Sequence, residues 1–277
     1  MYRIIVSDLD ETLLNSSKTV SDENRAAIRA AREMGVRFVP ASGRGYRSME
    51  RTLRELDLYD RAGEYVISFN GGAITENRGN RLLHFQGLPF AEAEELYRRG
   101  LGYDVCIHVY TIDTVYVYNF VPGERDFLRG RMEVVEVQDR NLDFLRGQEI
   151  VKCLYMNTSH EYLTGIARDL SDITGDMDVS YSSNRYLEFN RKGVNKGSGL
   201  RRLAELLGVD MRDTIAIGDN YNDLTMIQAA GLGVGVGNTV EELKPLCDYV
   251  TAADYNHSAV AEVIRKFVLT QGGRKRA

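Results

Sequence analysis

Short apolar runs alternate with amphipathic stretches through the first 83 residues, lose that alternation, and regain it from residue 190. Ile4-Ile5-Val6, Val36-Arg37-Phe38-Val39 and the run from Tyr65 to Phe69 are bounded by polar clusters and read as buried strands. A helix is expected between the first two. Ser21 stands as its N-cap, Asp22 and Glu23 complement the macrodipole of its first turn, and Gly35 closes it. A second helix carries Leu53 and Leu56. Strands alternating with helices predict an α/β domain, a parallel sheet covered by helices. The same rhythm returns late in the chain. Helices are expected over 197–207, 221–229, 239–244 and 259–269, strands over 214–217, 232–236 and 248–250, and a frayed basic tail over 274–277.

The middle of the chain follows another rule. A helix over 91–101 precedes adjacent strands over 105–109 and 115–120, joined by a turn near Asp113. A strand over 150–156, a helix over 162–170 and a closing pair over 179–182 and 186–189 complete it. This predicts a largely antiparallel α+β domain over 84–189, inserted into a core made of 1–83 and 190–277. At 277 residues the chain has reached the size at which one core splits into two.

Charge and composition narrow the function. A net charge of −5 gives no electrostatic support to a nucleic-acid or anionic-membrane partner. Cys106, Cys153 and Cys247 lie far apart, as small core residues in a reducing compartment do, and form no zinc spacing. No leader pattern precedes Asp8, and the longest charge-free run, 224–240, is too rich in polar residues and glycine for a membrane span. A cytoplasmic protein is expected, a monomer or weak homodimer.

Four loops that follow strands each offer one chemical group. Asp8 and Asp10 stand where the first strand ends; in extended chain they would share a side, about 7 Å apart. Ser42 and Gly43 sit between a strand end and a helix start, where backbone N–H groups favour an anion. Lys196 opens a helix, where a cation opposes the macrodipole unless an anion compensates it. Asp219, Asn222 and Asp223 follow the strand over 214–217. Carboxylates for a hard cation, a nucleophilic acid, and a hydroxyl and ammonium for phosphoryl oxygens form one coherent set.

In these four motifs, their order and their spacing, the chain resembles the haloacid dehalogenase superfamily of phosphohydrolases, most closely the Cof-type branch with a large inserted cap. The resemblance implies a Rossmann-like core and a Mg²⁺-dependent phosphatase acting on small phosphorylated metabolites such as sugar phosphates. It further implies that Asp8 is the nucleophile that becomes an aspartyl-phosphate, and that Asp10 is the acid and then the base. Ser42, Gly43, Lys196 and Asn222 would hold the phosphoryl group. The Asp8 carboxylate, the Asp10 carbonyl and Asp219 would bind Mg²⁺, with Asp223 orienting a metal-bound water. The cap would select the substrate, with Asn184 and Arg185 as candidates facing Arg44 and Asn70.

Two places depart from that pattern. Glu11 stands where Gly is usual, and 256–260 contains less Gly than the corresponding family segment. His257 receives no role, and His84, His108 and His160 form no metal spacing. The run from Gly231 to Gly237 lacks the third Gly of a dinucleotide fingerprint and reads as a buried strand and turn. A phosphomutase would use the same intermediate and return the phosphoryl group to substrate. A catalytically silent sugar-phosphate sensor would keep the ligand and lose turnover. A signalling receiver domain is disfavoured by the acid at Asp10 and by the long insertion.

Overall fold

A computed structural model describes residues 1–129 and 132–270; the tail expected over 274–277 lies outside them. The chain opens with β1 (Ile4–Ser7), α1 (Asp22–Glu33), β2 (Arg37–Pro40), α2 (Tyr46–Glu55) and β3 (Tyr65–Ser68), followed by β4 (Ala73–Glu76) and β5 (Arg81–Phe85). Next come α3 (Phe90–Gly100), β6 (Cys106–Thr111), β7 (Val115–Tyr118), α4 (Pro122–Leu128) and β8 (Val135–Val137). They are followed by β9 (Ile150–Met156), α5 (His160–Asp169), β10 (Met177–Ser182) and β11 (Tyr186–Arg191). The last stretch contains α6 (Lys196–Leu207), β12 (Thr214–Gly218), α7 (Leu224–Ala229), β13 (Leu232–Gly235), β14 (Tyr249–Val250) and α8 (Ala259–Ile264).

Two units result, Met1–His84 with Asn195–Ala277, and Phe85–Val194. The first holds a five-stranded parallel sheet in the order β14-β13-β12-β1-β2. Ile5, Phe38 and Ile215 pack on one side against α1, α2 and α8, through Ile28, Leu53 and Val260. Ile4, Val6 and Ala216 pack on the other side against α6 and α7, through Leu200, Leu203 and Met226. A sheet buried on both faces needs runs that are apolar at every position, which is why Ile4 to Val6 shows no alternation. Asp8 and Asp10 therefore follow β1, an interior strand of this sheet.

The second unit carries a six-stranded sheet in the order β10-β11-β9-β6-β7-β8. Its pairings are antiparallel except β7 with β8, which is parallel. Alternate residues of β6 separate its faces. Ile107 and Val109 join a core with Leu96 of α3 and Ile166 of α5. Cys106 belongs to an opposite cluster with Leu154 and Tyr186, against which Phe127 of α4 packs.

Two expectations change. The strand at 65–68 does not extend the five-stranded ladder; beyond a single bridge from Ala41 to Ile67, it starts a separate three-stranded sheet, β3-β4-β5. The helix expected over 239–244 is a bend and turn followed by a short 3₁₀ segment, Lys244–Leu246, with Pro245 in its first turn. The segments α4 and β8 were not legible in a region of mixed charge. The glycine-rich run contains β13, buried between β12 and β14.

Candidate active site

Adjacent parallel strands deliver the acids to one edge of the sheet. β1 lies between β12 and β2, so Asp8, Asp219 and Ser42, which follow those three strands, emerge side by side at their C-terminal ends. Ligands of open α/β sheets bind at such ends. Backbone bonds hold the register past the strands: Asp8 N–H donates to Ile217 at 2.9 Å, and Ala41 N–H donates to Ser7 at 2.8 Å.

Asp8, Asp219 and Asp223 bring carboxylate oxygens within 4.8 Å of one another, and all three residues are buried. Lys196 is their counter-charge. Its ammonium, fully buried, donates to Asp8 Oδ1 and to Asp223 Oδ1, the latter at 2.6 Å. The anion that a first-turn lysine requires is thus supplied from two other loops. Burial would strip the proton from this lysine, but Asp8 and Asp223 outweigh it and raise its pKa, so it stays charged.

Burial pushes the Asp8 carboxyl up to about 7, with the Asp223 charge adding to the effect and Lys196 opposing it. Burial likewise pushes Asp219 up to about 7, against a 2.6 Å bond donated by the Thr12 hydroxyl to its Oδ1. Asp223, Asp8 and Glu11 push the same way. Three buried carboxylates against one ammonium leave a deficit of positive charge. A hard, oxygen-seeking divalent cation fits that donor set.

Asp223 does more than face a cation. Its Oδ2 accepts the N–H groups of Asp219 and Asn220 at 3.0 and 3.1 Å, closing the loop after β12 on itself. A Cβ at residue 218 would lie 2.4 Å from the Asp223 Cβ, so only Gly218 lets the carboxylate sit there. Across the cluster Gly71, at φ +101°, approaches the start of α6. A Cβ there would meet the Asn195 carbonyl at 2.1 Å, and Asn195 caps the helix that carries Lys196.

Asp10 lies past the end of β1, which closes at Ser7. Its carboxylate pairs with Arg44, and with the Lys18 ammonium at 3.1 Å. Ser42 is buried, and its hydroxyl accepts the Arg44 N–H at 3.2 Å. Gly43 packs against the Asn70 amide, which in turn accepts a 3.4 Å bond from the Asn222 side chain. Glu11 adopts a left-handed φ of 59°, the backbone reason a glycine suits that position. Its carbonyl accepts from Asn238 at 2.8 Å.

Sequence reading did not find the roles of Thr12, Arg44 and Lys18. The adjacency of Thr12 to Asp10 and of Arg44 to Ser42 was the available signal. His257 pairs with Asp254 at 2.7 Å. Arg185, expected to select substrate, is held at 3.0 Å by Glu124 and lies over the Phe127 ring. Asn184 is exposed at the left-handed tip between β10 and β11.

Acids at the ends of neighbouring parallel strands, opposed by one buried lysine, define a hydrolase built to handle phosphoryl groups. The chain belongs to the haloacid dehalogenase-like hydrolase family, which it matches over residues 5–264. It is 29% identical over 276 residues to the putative phosphatase YxeH of Bacillus subtilis, spanning 98% of this chain and 100% of that one. To the 5-amino-6-(5-phospho-D-ribitylamino)uracil phosphatase YcsE of the same organism it is 29% identical, covering 96% of each. A haloacid dehalogenase-like hydrolase from Bacteroides thetaiotaomicron superposes with a TM-score of 0.84 at 31% identity, over 96% of this chain and 99% of the other. The chain is a phosphatase of this family.

Proposed function

We propose that the chain hydrolyses phosphate monoesters of small metabolites, sugar phosphates foremost, with Mg²⁺ and through an aspartyl-phosphate on Asp8. The observation that carries this reading is the buried charge deficit, three carboxylates opposed by one ammonium beside a strand-end hydroxyl. The relative named for a substrate with a phosphorylated ribityl chain supports a polyhydroxy ester.

In the first step an Asp8 carboxylate oxygen bonds to phosphorus, and the bond from phosphorus to the ester oxygen breaks. Asp10 gives its proton to the departing oxygen. In the second step the oxygen of a water molecule bonds to phosphorus while Asp10 takes its proton, and the bond from phosphorus to the Asp8 carboxylate breaks, releasing inorganic phosphate. Lys196 neutralises charge on the nucleophile and the phosphoryl group, and Ser42 with the Gly43 backbone holds phosphoryl oxygens. Asp8 and Asp219 would hold Mg²⁺, with the Asp10 carbonyl, and the ion would supply further neutralisation of the phosphoryl charge. Asp223 would hold Lys196 and the Asp219 loop in place. The inserted unit is assigned the choice of leaving group.

A panel of phosphorylated metabolites, with Mg²⁺ or with chelator, scored by released phosphate, tests the reading. Mg²⁺-dependent release from a subset of sugar phosphates is expected. Turnover untouched by chelation would overturn the metal assignment. An isomeric ester accumulating in place of phosphate would make the enzyme a mutase.

A further inference from the structure

The cations near the phosphoryl site are not equally available. Lys196 is fully buried and engaged by two carboxylates of the cluster. Arg44 is different. Its backbone is fixed beside Ser42: its N–H donates to the Ser42 hydroxyl at 3.2 Å, and its carbonyl accepts the Phe69 N–H at 3.0 Å. A side chain on the next residue, Gly45, would strike the Phe69 ring at 2.7 Å, which keeps this turn close-packed. The Arg44 side chain, by contrast, is 37% exposed, and it donates through Nη2 to Asp10 Oδ1. A guanidinium has five N–H donors in a planar fork that matches a phosphoryl group. Asp10 has a second cation on the same oxygen, Lys18, reaching it from the neighbouring turn at 3.1 Å.

We propose that Arg44 is a binding residue for the substrate's phosphoryl anion that the free enzyme keeps paired with Asp10, and that anion binding transfers the guanidinium from Asp10 to the ligand. The inference rests on the phosphatase reading. Asp10 is retained by Lys18 after the exchange, so its carboxyl group stays near the reacting centre while losing one of its two ionic partners. A carboxylate and a phosphoryl anion compete for the same donors, and the anion with more charge and three acceptor oxygens wins them.

The test is a double-mutant cycle read by calorimetric titration of inorganic phosphate and of tungstate, with Mg²⁺ present and no turnover involved. Arg44→Met weakens both anions about tenfold, the worth of a charge-assisted bond. Asp10→Asn tightens them about threefold, because the competitor is gone. In the doubly substituted chain that gain disappears, which a general loss of negative charge would not produce. Arg44→Lys, which keeps the charge and loses the fork, recovers part of the affinity. An equal Asp10→Asn gain in both backgrounds, or anion binding indifferent to Arg44→Met, overturns the exchange. These titrations behaving as stated, with no monoester hydrolysed, would refute the phosphatase reading and leave the exchange intact.

Discussion

Each unit of this protein buries charge, and the two do so in opposite ways. In the core unit, Asp8, Asp219 and Asp223 face a single ammonium, and the carboxyl groups of Asp8 and Asp219 are raised to about 7. In the inserted unit, the charges on one sheet face are matched one to one. Glu124 accepts from Arg185 at 3.0 Å and from the Tyr186 hydroxyl at 2.6 Å. Lys152 pairs with Glu188, which also accepts from Ser182. His108, fully buried beside Glu124, has its pKa lowered to about 3 by burial and by the Lys152 charge, so it adds no charge at neutral pH. Buried ions that satisfy one another serve the fold, whereas a buried surplus of one sign waits for a ligand of the other.

The comparison breaks most sharply at Asp8. Asp8→Asn removes the nucleophile, and hydrolysis of p-nitrophenyl phosphate is expected to fall by at least about a thousandfold. Circular dichroism and thermal melting would report an intact fold, since the change relieves a surplus of buried negative charge. Substantial turnover by this variant would remove Asp8 from its role.

Breaking the matched cluster should do the reverse. Glu124→Ala strands Arg185 and leaves the Tyr186 hydroxyl without its acceptor, at a cost of about 3 kcal/mol of stability. Urea denaturation measures the loss. A stability change under about 0.5 kcal/mol, the level of a neutral surface substitution, would show that the cluster is not structural.

A smaller effect depends on pH. His108 faces Glu124, Lys152, Glu188, Cys106 and the rings of Tyr110 and Tyr186. Its ordinary value of 6.5 falls to about 3 in the folded chain. Between those values the unfolded chain takes up a proton that the folded chain refuses. His108 therefore makes stability decline as pH drops from 6.5 toward 3, by a few kcal/mol at most. Denaturation midpoints of wild type and His108→Leu should separate across that window, the wild type losing more on acidification. Parallel pH profiles would dismiss the histidine as the cause.

The smallest effect concerns Glu11. Glu11→Gly should raise stability by about 0.5 kcal/mol, the relief of a left-handed side-chain-bearing residue less the entropy a glycine loses on folding. Thermal melts of the two proteins would show it. A clear fall in melting temperature would mean that the Glu11 side chain contributes contacts of its own.

Much of the candidate site was legible because its residues sit at strand ends, and strand ends follow from local apolar runs. Asp8, Ser42 and Asp219 come after Ile4–Ser7, Arg37–Pro40 and Thr214–Gly218, each marked by hydrophobicity alone. The Asp22–Glu33 helix was legible for the same local reason, down to the Ser21 side chain that caps it by accepting from Asn24 N–H. The helix expected over 239–244 failed because turn and helix share their composition there. The extra strands Ala73–Glu76 and Arg81–Phe85 were missed because their pairing, rather than their pattern, makes them strands.

Thus the order of strands and helices, the inserted stretch of different rhythm, and the acids, hydroxyl and lysine at loop positions were set by the amino-acid sequence read locally. Which oxygen meets which cation was decided only in three dimensions. Lys196 reaches Asp8 across 188 positions of chain, and Arg44 reaches Asp10 across 34. Neighbour relations within a sheet depend on strand order, and no local pattern encodes that order. The pairing of Asp10 with Arg44 and Lys18, and of Lys196 with Asp8 and Asp223, emerges once β1 lies between β2 and β12 and their loops are packed together.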